Sequence, residues 1–327
     1  MKTKVLGFFL FLIPFIGLGQ KNLVDIPLDT SFTVWSEAQK IKKNFPSAQV
    51  VKEFKVLKIQ SEKDVVYYSL GNRDLHADLF YPDKKTDKKI PAIILIHGGG
   101  WASGNKSHLV PMSQMLAVHG FFTATVEHRL SPEAKYPAAI TDLKTFVKWV
   151  KSNSEKYNID TSKIVVLGCS SGATLASFVG TTGQNPKFQS HEWKDKVSDK
   201  VQAIVNIDGI VDFTDPAESA KDEDPNKPSA GARWFGFTYQ QNPEIWVEAS
   251  PVIYVNEKTP PTIFINSALP RFHAGRNQFI QVLTLNNTYS EIHTIANTPH
   301  PFWLFHPWFD ETYPKIVNFL NQVFKDE

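Results

Sequence analysis

The stretch KIVVLGCSSGATLA, residues 163–176, carries Gly-x-Ser-x-Gly directly behind an apolar, β-branched run and directly ahead of small helix-compatible residues. Strand, tight turn and helix in that order place Ser170 at the tip of a turn above a sheet, its hydroxyl presented as a nucleophile. Gly168 and Gly172 leave room where the turn brings backbone and helix together. An ordinary strand-to-helix turn can carry the same five residues, so the reading depends on what else the chain supplies. The single cysteine, Cys169, lies inside the turn. It is expected to be a small buried filler beside the exposed serine, and no intrachain disulfide is possible.

A second pattern, Ile96-His97-Gly98-Gly99-Gly100-Trp101, follows another apolar run. Three glycines leave backbone N–H groups uncovered, free to face an oxyanion formed when an ester carbonyl is attacked. A phosphate loop would need Gly-Lys-Ser/Thr next, and none follows. Gly99 and Gly100, with the amide of Ser171, are the expected donors.

A serine nucleophile needs a base, and the chain order puts it late. His300, in Asn297-Thr298-Pro299-His300-Pro301, is the candidate that takes the serine proton and returns it to the leaving alcohol. His293 is expected to be a packed strand residue, and His306 is a weaker rival. The orienting acid is harder to place. The loop after the strand at 261–265 holds no Asp or Glu, and none occurs between Glu257 and Glu291. Asp208, at the carboxyl end of the strand at 201–207, is the first choice and Asp212 the second. Both are also explained as turn carboxylates. Trp101, Trp234, Arg271 and His273 are candidate substrate contacts, although Arg271 and His273 could simply order their loop. The charged run Glu127-His128-Arg129-Leu130-Ser131-Pro132-Glu133 reads as scaffold, with Arg129 pairing Asp142.

The elements that must position these groups alternate. Strands are expected at 50–59, 65–70, 75–81, 92–96, 121–126, 163–169, 201–207, 261–265 and 290–295. Helices are expected at 108–118, 138–157, 171–179, 276–285 and 312–324. Continuous apolar runs such as 92–96 fit strands buried on both faces. The alternation predicts an α/β fold: a mainly parallel sheet, covered by helices on both sides and joined by right-handed crossovers. Residues 21–50 are expected to form an arm, with Trp35, Ile41 and Phe45 as packing points. Residues 212–250, acidic at Asp222-Glu223-Asp224 and aromatic at Trp234, Phe235, Phe237, Tyr239 and Trp246, interrupt the alternation after the sixth strand. They are either a lid or a loop packed by its own rings.

Composition bounds the rest. The chain has 327 residues, 42% hydrophobic and 21% charged, as a globular domain does. A formal net charge of +2 argues against a nucleic-acid partner. Residues 1–20 read as a secretory signal peptide, with Lys2 and Lys4 ahead of an apolar core at 5–18, and residues 21–327 as the catalytic domain. The apolar run is short for a membrane span, so no stable span is expected after processing; an uncleaved anchor is the alternative. A secreted or periplasmic location follows. No metal or organic cofactor is implied.

Taken together, the HGGGW and GCSSG motifs, the stretch EHRLSPEAKYPAAITD and the late His300 resemble the α/β-hydrolases. More narrowly, they resemble hormone-sensitive-lipase-like and feruloyl-esterase-like carboxylesterases. The resemblance spans residue 65 to the C-terminus. It implies an eight-stranded sheet, Ser170 as nucleophile, His300 as base and an oxyanion hole at Gly99, Gly100 and Ser171. The chain departs from it in carrying Cys169 and Ser171 where lipase-like members have Asp and Ala, and in lacking the acid on its usual loop. The segments 270–276, 298–303 and 305–309 are similar to secreted bacterial esterases associated with plant polysaccharide side groups. The implied activity is removal of small acyl groups, acetyl foremost, from polysaccharides or oligosaccharides. A general short-chain carboxylesterase, a compact serine peptidase and a non-catalytic sugar-binding protein on the same fold are the alternatives.

Overall fold

The computed structural model describes residues 29–55, 58–84, 87–191, 197–220 and 228–325. The expected signal peptide and the acidic triplet at 222–224 lie outside them.

Among the described residues ten strands form: β1 Gln49–Val50, β2 Ile59–Ser69, β3 Asp74–Pro82, β4 Ile90–Ile96, β5 Phe122–Val126, β6 Ile159–Cys169, β7 Ala203–Ile207, β8 Thr262–Ser267, β9 Ser290–Ile295 and β10 Phe305–His306. Eight of them make one sheet in the order β2-β3-β5-β4-β6-β7-β8-β9. Only β3 runs against its neighbours; every pair from β5 to β9 is parallel. This is the mainly parallel α/β sheet that the strand–helix alternation predicts, with the eight strands that the α/β-hydrolase resemblance implies. Its central strands are buried on both faces. Ile94, Ile96 and Val166 enter one core, and Ile93, Leu95, Val165 and Leu167 enter the other.

The chain leaves β4 to form β5 on one side and returns to form β6 on the other. The crevice beyond the carboxyl ends of β4 and β6 is therefore a switch point, where sheets of this kind bind ligands. Register brings the motifs together there. Ile96 pairs with Gly168, which sets the glycine loop beside the serine turn, and Cys169 pairs with Ile207, which sets Ser170 beside Asp208.

Some expected elements differ. The single strand expected at 50–59 does not form, since residues 51–55 are not in a strand. Gln49–Val50 pairs with β10 in a separate two-stranded sheet, and the Val51 amide bonds the Leu304 carbonyl at 2.9 Å. Of the strand expected at 65–70, residues 65–69 are the second half of the bulged β2 and Leu70 lies past its end. The helix expected at 138–157 divides at Asn153 into Ala138–Ser152 and Ser154–Tyr157. The last helix begins at Trp308. Trp35 does not pack: it is 72% exposed, whereas Ile41 is buried and Phe45 meets Trp308 edge-on. Among the described residues no helix is long and apolar enough to cross a membrane.

Candidate active site

Ser170 stands between β6 and the helix Ser171–Thr181 with φ 55° and ψ −126°, a conformation that costs a non-glycine residue free energy and that the surrounding packing must enforce. Two glycines permit that packing. A Cβ on Gly168 would lie 2.0 Å from the Gly172 carbonyl oxygen, and one on Gly172 would lie 2.2 Å from the Ile96 carbonyl oxygen. The helix thus rests directly on β6 and β4. The Ser170 amide donates to the Ile207 carbonyl at 2.8 Å, which ties the turn to β7.

His300 Nε2 lies 2.8 Å from Ser170 Oγ, and its Nδ1 lies 2.7 Å from Asp208 Oδ2. An ionised carboxylate only accepts, so Nδ1 carries the proton and Nε2 is left to accept from the serine hydroxyl. Asp208 is fully buried. Its second oxygen, Oδ1, accepts from the Ser267 amide at 2.8 Å and the Ser267 hydroxyl at 3.0 Å, at the end of β8. The imidazole is clamped between rings. Phe272 stacks on it with centroids 3.6 Å apart and planes 6° apart, and Trp303 meets it edge-on at 5.3 Å.

The glycine loop turns tightly around one carbonyl. Gly99 O accepts from the amides of Ala102 and Ser103 and from the Ser103 hydroxyl, at 3.0–3.2 Å. Gly99 has φ +131°, which side-chain-bearing residues avoid, and a Cβ there would overlap the Ser103 backbone. The amides of Gly99, Gly100 and Ser171 have no hydrogen-bond partner among the described residues, and all three residues line the same cavity as Ser170. Such unfilled donors around a nucleophile are the arrangement that stabilises a developing oxyanion. The cavity measures about 340 Å³.

His97 and His128 stack beneath the loop with centroids 4.6 Å apart. Burial holds both rings below the usual imidazole range, a nearby Gly98 carbonyl partly offsetting the effect at His97. Burial, with His97 adding to it, brings His108 down to about 4. The Cys169 thiol is driven well above its ordinary value by burial and by Asp208, so it is no nucleophile.

The remaining candidates divide. Trp101 and Arg271 line the cavity. Trp234 does not. It is buried under Trp101, rings parallel at 4.9 Å, because the insertion folds its rings inward as a packed cluster with Phe213, Phe235 and Trp246. His273 faces its own loop, Nε2 lying 2.9 Å from the Ser267 carbonyl oxygen, and is not a cavity residue. Asp212 accepts from the amide and hydroxyl of Thr214 and serves a turn. His293 lies against Glu291 and His306 against Asp310. Arg129 does bind Asp142, with two guanidinium nitrogens and its amide. Sequence reasoning missed Ser267, Phe272, Glu218 and the arm residues Ser31, Phe32, Glu37 and Lys40, which border the cavity or hold the triad. Ser267 alone left a signal: a small hydroxyl stands where the loop lacks its acid.

A BD-FAE family model matches residues 77–269, more than half of the chain. The chain belongs to the BD-FAE family. The resemblance to feruloyl-esterase-like α/β-hydrolases is thereby borne out. The BD-FAE match contains the glycine loop, Ser170 and Asp208, and His300 lies beyond it. Esterase LipC of Mycobacterium tuberculosis is 29% identical over 190 residues, covering 55% of this chain and 44% of LipC. The probable carboxylic ester hydrolase LipM of the same organism is 29% identical over 204 residues, covering 61% of this chain and 45% of LipM. The chain thus spans less than half the length of these curated relatives. Among solved structures, a truncated carbohydrate esterase from gut microbiota aligns with a TM-score of 0.65 at 23% identity, over 81% of this chain and 96% of that one. An acetyl ester-xyloside bifunctional hydrolase from Caldicellulosiruptor lactoaceticus aligns at 0.66 and 20%, over 80% and 96%. These likenesses establish the shared fold.

Proposed function

We propose that this protein is an exported serine esterase that removes small acyl groups, acetyl foremost, from plant polysaccharides or oligosaccharides. The observation that carries the reading is the chain of hydrogen bonds Ser170–His300–Asp208 facing the uncommitted amides of Gly99, Gly100 and Ser171. Ser170 Oγ attacks the ester carbonyl carbon as its proton passes to His300 Nε2. The carbonyl oxygen gains the negative charge and is met by the three amides. Asp208 holds the imidazolium in place. Collapse breaks the bond to the alcohol, which leaves with the His300 proton, and Ser170 retains the acyl group. Water then gives a proton to His300 and attacks the acyl-enzyme; acid is released and the serine regains its proton.

Support for the substrate class is less direct. The cavity is at the small end for ligand sites, which suits a short acyl group. Two of the similar folds are described as a carbohydrate esterase and an acetyl ester-xyloside hydrolase. The apolar stretch behind Lys2 and Lys4 supports export.

The test is hydrolysis of p-nitrophenyl acetate by the wild type and Ser170→Ala. Loss of the nucleophile is expected to lower kcat by about 10⁴-fold or more. A wild type no faster than the variant rejects the enzyme in favour of a binding protein on this fold. Acetate, rather than ferulate or methanol, released from plant polysaccharide is the expected product.

A further inference from the structure

Apart from Asp208, which is committed to His300 and Ser267, the described residues of the cavity wall include two carboxylates, Glu37 and Glu218, and three cations, Lys40, Arg233 and Arg271. Two of the cations are neutralised. Lys40 Nζ lies 2.5 Å from Glu37 Oε1, and Arg271 binds Glu218 with both Nε and Nη2, at 2.5 and 3.1 Å. Arg233 has no carboxylate partner among the described residues.

Nor is Arg233 a stray surface side chain. It sits on the short helix Ala230–Phe235, whose next two residues, Trp234 and Phe235, are buried in the aromatic cluster beneath Trp101. Its backbone carbonyl accepts from Lys135 Nζ at 2.7 Å. Its guanidinium is therefore fixed at its root beside the glycine loop, exposed and facing a ligand site, with no carboxylate among the described residues to balance its charge. A planar fork of that kind pairs with a carboxylate.

We infer that Arg233 recognises an acidic group on the alcohol half of the substrate, so that the favoured ester is one carried by a uronate-containing carbohydrate. The inference rests on the carbohydrate-esterase reading above and narrows it. An uncharged acylated sugar would leave the guanidinium in water and gain nothing from it. A uronate near the acylated hydroxyl would place its carboxylate against Arg233, with the Glu37–Lys40 and Glu218–Arg271 pairs left to meet neutral hydroxyls.

The experiment compares kcat/KM for acetylated oligogalacturonate with that for acetylated xylo-oligosaccharide, in the wild type, R233A, R233K and R233E. The wild type is expected to favour the acidic substrate. R233A lowers that ratio about three- to fivefold, as loss of a partly exposed charge pair does. R233E lowers it further, and R233K restores most of it. Salt at 0.5 M lowers the wild-type ratio and leaves that of R233A flat. Acetate released from both substrates with a ratio that neither R233A nor R233E moves overturns the inference alone. No release from either substrate, with p-nitrophenyl acetate still hydrolysed, overturns the carbohydrate reading and the inference with it.

Discussion

Asp208 reaches His300 from the end of β7, one strand away from the loop that lacks an acid. Ser267, on that neighbouring strand, completes the arrangement by donating both its amide and its hydroxyl to Asp208 Oδ1. The carboxylate is thereby fixed with one oxygen for the imidazole. Asp208→Asn would let the side-chain amide donate toward Nδ1, favouring the tautomer in which Nε2 holds the proton and can no longer accept from Ser170. A fall in kcat of about 10³–10⁴-fold is expected. Asp212→Asn changes kcat less than about threefold and costs about 1 kcal/mol of stability, the value of its bonds to Thr214. Ester hydrolysis and urea denaturation of the two variants check this; equal losses of activity would remove Asp208 from its assigned place. At this scale the sequence exposes Ser170 and His300 through motif and order, and Asp208 through its position at a strand end. It does not separate Asp208 from Asp212, because that choice depends on Cys169 lying opposite Ile207. Trp234 and His273 mislead for a related reason: a ring or a basic side chain near a ligand loop has the same one-letter code whether it faces the cavity or the protein.

The glycine loop is an element that depends on what lies behind it. His97 Nδ1 is 2.9 Å from the Gly98 carbonyl oxygen, His97 stacks on His128, and His108 lies edge-on to both His97 and Phe32. All three rings are held neutral by burial. In the unfolded chain each would protonate near 6.5. The unfolded state therefore binds more protons below that pH, and folding stability falls as pH drops from about 6.5 toward the depressed folded values. Above 6.5 the contribution is fully present. For His108, at about 4 when folded, the loss between pH 7 and pH 5 is about 2 kcal/mol. Urea midpoints at the two pH values are expected to show at least that loss, and His108→Asn to flatten the dependence. A midpoint that rises on acidification would contradict the neutral cluster. HGGGW is readable as an oxyanion loop because glycines bare their amides. The histidines beneath it are scattered over residues 97–128, and only the parallel pairing of β4 with β5, which sets Ile96 opposite Val126, brings His97 onto His128.

Over the whole molecule, the sheet is legible because buried parallel strands write themselves as apolar runs. The outer parts are not. β9, at the sheet edge, still alternates and is readable, but the arm at 29–55 carries no comparable pattern, and the expectation that Trp35 packs fails because its aromatic character alone does not say which face of Val34–Ile41 meets the protein. That arm touches both halves of the site. Asp29 bridges to Ser103, and the Ser31 hydroxyl donates to the Ser103 hydroxyl at 3.4 Å, behind the carbonyl of Gly99. Farther along, β1 pairs with β10 and Phe45 packs on Trp308, just beyond the His300 loop. A chain lacking residues 29–50 would lose the burial of Ile41 and the contacts of Phe45 and Val50, about 6 kcal/mol at roughly 2 kcal/mol for each apolar side chain. The melting temperature is expected to fall by about 10 °C or more. Activity should fall further than stability alone requires at a temperature where the shortened chain remains folded, because the arm braces the glycine loop at one end and the stretch after His300 at the other. Circular dichroism melts and p-nitrophenyl acetate turnover on the shortened chain measure the two effects separately. Unchanged turnover would mean that the strand-end geometry of Ser170, Asp208 and His300 stands without the arm.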